Sequence, residues 1–354
     1  MRAMNTTRVL LALALTVFVG CDVEEPNPAP VGKGSAGPAN GGSKGTTGGT
    51  EDDGDDDGGT PDDDGGSWAV GRGAEMIRIA ADGSSSGYDL RGEYDLLGIA
   101  CHGDKVAWAV GTGGTILYTN DAGERWRPAA TQTDATLRAV AISSTHVIFA
   151  VGDDGSVLVS RGAGAPFDDL VAPAIEFTGV ASNLDGSLAF ATAFDGSIWA
   201  YDVDHAGLHK VWQDEAALHS IAMTPDAARV VAVGDDGTWL QSLDEGRSFE
   251  RVDVETDRDL YAVQLAASDE LGLAVGEAGT VVQVDALGPV VQQLLDAETA
   301  LRAVHLSGTG HGIAVGDAGV AFTTRDAGER WEPTSVATTR DLFGVDEISL
   351  HGHL

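Results

Sequence analysis

Cysteine is nearly absent from the 354-residue chain, and two residues, Cys21 and Cys101, cannot staple a disulfide scaffold. Basic side chains are also few, 21 against 55 acidic ones, for a formal net charge of −34. That balance excludes nucleic acid as a partner, because phosphate binding needs clustered Lys and Arg to displace counterions. The apolar run from Val9 to Val19 is too short to span a bilayer. The nine histidines are scattered without metal-ligand spacing, and His351-Gly352-His353 reads as a solvated tail. No phosphate-binding loop appears, since the Gly-x-x-Gly turns join strand to strand. No metal and no cofactor is therefore expected. Glycine is what the chain has in quantity, 48 residues, and with 43% apolar content this points to a folded, turn-rich architecture.

Residues 1–20 read as a secretory signal, with Arg2 and Arg8 ahead of the Val9–Val19 run. The run ends in Phe18-Val19-Gly20-Cys21, which resembles a bacterial lipobox, and the resemblance implies lipid on Cys21. It places the protein in a bacterial cell envelope, anchored to a membrane at the outer membrane, periplasmic face or cell surface. Residues 21–66 read as a disordered tether. From residue 22 on they hold 13 Gly, 5 Pro and no aromatic, and they end in the acidic tracts 51–57 and 62–64. Such carboxylate runs attract Ca²⁺ in principle, but no twelve-residue loop with a closing Glu is present, so a solvated spacer is the reading. Cys101, in the apolar run Leu97 to Cys101, reads as an inert buried thiol.

Residues 67–354 repeat. Ala-Val-Gly-x-x-Gly turns place their first Gly at Gly71, Gly111, Gly152, Gly234, Gly276 and Gly316, and Ala193 takes the equivalent place in a seventh copy. A second marker, Leu-x-x-Val or a variant, begins at Leu97, Leu137, Phe177, Leu218, Leu260, Leu301 and Leu342. Spacings of 40–42 residues between short apolar strands and Gly turns are the signature of propeller blades. In one unit the strands fall at 137–142, 146–151, 156–161 and 167–171, with Gly152-Asp153-Asp154-Gly155 turning on glycines of positive φ. The domain opens on a second strand, Ser67 to Gly71, and closes on a first strand, Leu342 to Ile348. The expected fold is all-β, a seven-bladed β-propeller closed by pairing the C-terminal first strand with the N-terminal three strands.

Two segments, Thr119 to Trp126 and Thr324 to Trp331, look like Asp-boxes, with Ser242 to Phe249 a weaker copy. Asp121 and Asp326 should cap turn amides, Gly123 and Gly328 take the left-handed position, and Trp126 and Trp331 pack between sheets. Together with the Ala-Val-Gly pattern, these motifs make the domain resemble the photosystem II stability/assembly factor type of propeller. The resemblance implies a non-catalytic platform that binds protein and assists assembly of a membrane complex. An arginine-rich patch goes with that family; 17 basic against 43 acidic residues in 67–354 do not clearly supply one, which argues against a photosystem client.

Residues just after the Leu marker should ring the channel mouth: Gly98, Arg138, Thr178, His219, Tyr261, Arg302 and Phe343. The turn acids Asp153, Asp154, Asp195, Asp235, Asp236, Glu277 and Asp317 should surround them. Arg138, His219, Tyr261, Arg302 and Phe343 form the candidate partner-binding ring, since such residues dominate interface hot spots. The plainer reading is a polar mouth whose Arg side chains pair with neighbouring acids. Asp-boxes also occur in sialidases, but those need three Arg and a Tyr with a Glu partner, which this ring does not supply. The expectation is a non-enzymatic, monomeric binding or assembly module for an envelope protein. A sialidase-like glycoside hydrolase and a purely structural surface protein are the alternatives.

Overall fold

The computed structural model describes residues 66–347 apart from 81–82, 91, 163–164, 203–206, 266–270, 286–287 and 296–297. The leader, Cys21, the tether through residue 65 and the tail holding His351 and His353 lie outside the described residues.

Among the described residues, twenty-eight short strands pair into seven four-stranded antiparallel sheets. In six of them the strands follow chain order: blade 1 is 96–128, blade 2 is 137–169, blade 3 is 177–213, blade 4 is 218–251, blade 5 is 260–294 and blade 6 is 301–333. Blade 7 joins Leu342–Glu347 to Gly66–Gly71, Glu75–Ala80 and Ser85–Asp89 in that spatial order. Its register pairs Ser67 with Glu347, Ala69 with Val345 and Gly71 with Leu342. First strands touch one another in a circle, and Leu342–Glu347 contacts both Leu301–Leu306 and Leu96–His102. Pairing of the first and last strands of the propeller thus completes the ring and, among the described residues, leaves no open inner edge.

The strands are apolar on both faces because the core is divided among the seams between blades. Trp68, Val70 and Met76 of blade 7 pack on Leu96, Ile99, Ala109 and Leu117 of blade 1. Val231, Val233 and Trp239 of blade 4 meet Leu260, Val263 and Ala274 of blade 5 in the same way. The marker residue opens each first strand and is fully buried in all seven blades: Leu96, Leu137, Phe177, Leu218, Leu260, Leu301 and Leu342. In blade 1 the marker is therefore Leu96 and not Leu97, because Leu96 pairs with Gly111 as Leu137 pairs with Gly152.

The glycine of Ala-Val-Gly is there for close approach, not for positive φ. Gly152 is extended, with φ −175°, and the positive values fall on Asp154 at 56° and Gly155 at 76°. A methyl built on Gly152 would overlap the carbonyl oxygen of Thr136, and Gly71, Gly111, Gly234, Gly276 and Gly316 face the carbonyl before their own marker in the same way. That carbonyl also accepts the next N–H of the turn, as in Asp153 to Thr136 at 2.9 Å. The outer strand of blade 2 is shorter than the 167–171 expected: it is Asp168–Asp169, both exposed.

Candidate channel-mouth site

One irregularity per blade builds the mouth. Each marker pairs with the Gly position, but the residue two beyond it pairs with the residue before that Gly, so the position between is bulged out of register. The seven bulged residues are Leu97, Arg138, Thr178, His219, Tyr261, Arg302 and Phe343, all half-buried. Leu97 takes the place expected for Gly98, which the one-residue offset of the marker had selected. Gly98 instead lies against the next blade, where an added methyl would crowd the Arg138 carbonyl.

Bulged bases pair with the first turn acid of their own blade. Arg138 donates from Nε and Nη2 to Asp153 at 2.6 and 3.2 Å, and Arg302 donates to Asp317 at 2.9 and 2.9 Å. His219 Nε2 lies 2.6 Å from Asp235 Oδ1. Asp154 and Asp236, one residue further on, are exposed and take no ring base. Asp195 accepts from Ser197, and Glu277 is exposed. The pairing with turn acids is thus selective for the residue directly after the Gly position.

Aromatic rings bridge these pairs. The Arg138 guanidinium lies over Phe194 at 5.3 Å, and Phe194 meets His219 edge-on at 5.5 Å. His219 meets Tyr261 at 5.4 Å, and Arg302 lies over Tyr261 at 4.5 Å. Arg138, Phe194, His219, Tyr261 and Arg302 therefore form one arc across blades 2 to 6. Phe194 was not foreseen, although it is 38% exposed and stands where the six other blades carry Arg, Thr or an acid. Phe343 sits apart from the arc under Arg72, at 6.0 Å, and Arg72 in turn pairs with Asp341 at 2.8 Å. Burial raises the Tyr261 hydroxyl pKa, with Asp259 adding and Arg302 opposing. Arg302 is raised chiefly by its hydrogen bond to Asp317.

The Asp-boxes lie away from this arc. Thr119 donates its hydroxyl to Asp121 and accepts the N–H of Gly123, while Asp121 accepts the N–H of Arg125 at 3.0 Å. Thr324, Asp326, Gly328 and Arg330 repeat the arrangement. Gly123 and Gly328 have φ of 83° and 90°. Trp126 meets Trp68 of the preceding blade edge-on at 5.7 Å, and Trp331 packs against the blade 5–blade 6 seam. The weaker copy is as complete: Ser248 donates hydroxyl and amide to Asp244, Ser242 adds a third bond, and the carboxyl is held down to about 2. An Asp whose pKa falls on folding stabilises above its ordinary value and loses that effect as pH drops through the folded one. Asp244→Ala should therefore lower the melting temperature at pH 5 and approach the wild type near pH 2, as read by circular dichroism. An equal deficit at both pH values would assign the loss to something other than the charged cap.

Cys101 lines the channel and is half-buried; burial first, then Asp346 and Glu347, push its pKa well up, which keeps the thiol protonated. Among the described residues no group of three or more His, Cys, Asp or Glu is placed to hold a metal, and no helix is long and apolar enough to cross a membrane. Sequence reasoning also passed over His305, which is buried beside Asp346 and Glu347 of the closing strand.

Fold and motifs define the class: a closed seven-bladed propeller with Asp-boxes and a bulge-built mouth. Within that class residues 58–161 match the family model of the photosynthesis system II assembly factor YCF48. The structure of YCF48 bound to a D1 peptide is similar at TM-score 0.60 and 16% identity, covering 73% of this chain and 89% of that one. YCF48 from Cyanidioschyzon merolae is similar at 0.55 and 16%, covering 69% and 86%. No curated protein matches the chain.

Proposed function

We propose that this protein is a non-catalytic binding or assembly module, tethered by lipid on Cys21 outside the cytoplasm, that engages an envelope protein through its channel mouth. The observation that carries the reading is the arc Arg138, Phe194, His219, Tyr261 and Arg302. Its aromatic and Arg side chains are held in place by Asp153, Asp235 and Asp317 while still reaching solvent. Rigid, part-exposed aromatic and Arg groups lose little entropy on docking and dominate interface energies. YCF48, a propeller of the same fold, is solved with a D1 peptide bound, which supports protein binding by a propeller of this kind. The excess of acid over base speaks for a different client here.

A sialidase-like reaction is disfavoured by the same geometry. Both ring guanidiniums are committed to their own aspartates, and a Tyr261 hydroxyl raised by burial is a poorer nucleophile. Arg138→Glu combined with Arg302→Glu tests the proposal. Crosslinking in the native envelope should recover the wild-type partner and lose it at least tenfold in the double variant. Undiminished capture would discard the mouth as the binding surface. Turnover of a sialoside by the wild type would discard the non-catalytic reading.

A further inference from the structure

The seven first strands can be stacked in register from their markers. At the fourth position after the marker stand Ala100, Ala141, Ala181, Ala222, Gln264, His305 and Asp346. At the fifth stand Cys101, Ile142, Ser182, Met223, Leu265, Leu306 and Glu347. Asp346 and Glu347 are the only carboxylates in any first strand, and both lie in the strand that closes the ring.

Their partners reach from both neighbouring blades. His305 of blade 6, 8% exposed, has Nδ1 2.7 Å from Asp346 Oδ1 and Nε2 3.3 Å from Glu347 Oε2. The other oxygen of Asp346 accepts the backbone N–H of Cys101 in blade 1 at 2.7 Å. An imidazolium donates from both nitrogens and satisfies both carboxylates. A neutral imidazole has one donor, so one carboxylate would face a lone pair in a buried site. A cavity of about 220 Å³ runs along the same blade 6–blade 7 seam, lined by His305, Glu347, His311, Arg325 and Glu332.

We propose that this cluster is a proton-operated latch: protonated His305 locks the C-terminal strand between blades 6 and 1, and loss of that proton releases the strand. The groups facing His305 are Asp346 and Glu347 from the closing strand, with the Cys101 thiol of blade 1 beyond them. Neutral Gln264 shares its layer from blade 5, and His311, Arg325 and Glu332 line the adjoining cavity. Burial alone would favour the neutral ring, but Asp346 and then Glu347 outweigh it and raise the pKa from 6.5 to about 9. The stabilising contribution is therefore complete below 6.5 and lost as pH rises through 9.

Hydrogen exchange of the full chain between pH 7 and 10, read as protection factors, tests the latch. Protection of Leu342–Glu347 in the wild type should fall at least tenfold more than that of Phe177–Ser182 on the far side of the ring. In His305→Gln, the closing strand should be less protected at pH 7 and should show no further selective loss. If His305→Gln does not fold, Glu347→Gln, which keeps the Asp346 contact, should shift the loss to lower pH. A wild-type closing strand whose protection tracks the far side would overturn the proposal, as would an undiminished alkaline step in His305→Gln or an unshifted one in Glu347→Gln.

Discussion

Removing residues 342–354 should abolish the single cooperative melt of the domain and lower its onset by at least about 10 °C. The strand removed buries Leu342 and Val345 almost completely, a contribution of about 3–6 kcal/mol in apolar burial alone. Its loss also exposes the inner edge of Gly66–Gly71 and uncovers Val70 and Leu96, which pack at that seam. Against a total stability of about 5–15 kcal/mol, such a deficit is a large share. Differential scanning calorimetry of the truncated and intact chains decides the matter. Superimposable transitions would mean that the other six blades hold the ring without its latch.

The second large effect concerns the turn glycines. Gly276→Val should cost about 2–4 kcal/mol, because its Cβ would be driven into the Asp259 carbonyl that also accepts the Glu277 N–H. The clash is with the backbone of Asp259 and Leu260, so no side chain can swing away to relieve it. Gly276→Ala meets the same carbonyl but adds no γ-methyls, and blade 3 accommodates Ala193 at this position with Phe194 still donating to the Glu176 carbonyl at 3.0 Å, so it should cost distinctly less. Urea unfolding of the two variants gives the comparison. Equal costs for alanine and valine would show that the neighbouring strand cannot yield at all.

The blade count was legible because the markers recur at near-constant spacing and the two end fragments complement each other. The error at Leu97 has a specific origin: Leu96 and Leu97 are both leucine, so identity alone cannot choose between them. The hydrophobic residue three positions on does choose, since Ile99 follows Leu96 at the spacing of Val140 after Leu137. Mouth positions followed from the marker, but their pairing crosses a hairpin, and Arg138 meets Asp153 rather than Asp154 because of the bulge register. Phe194 escaped notice because blade 3 departs from the Ala-Val-Gly turn at that very point. His305 and Asp346 stand in one column of the stacked repeats, yet their contact depends on which way adjacent blades lean, a property of the assembled ring.

Blade 7 is built from the first and last strands of the domain, and Arg340 reaches the carbonyl of Gly73 across 267 residues of chain. During synthesis the earliest strands must wait, partnered on one side only, until the final residues arrive. Loop closure over that distance is entropically slow, while each of blades 1 to 6 can fold from contiguous sequence. The closing strand thus reports that the ring is complete, and a product cut short before it is left with an unpaired edge that favours aggregation.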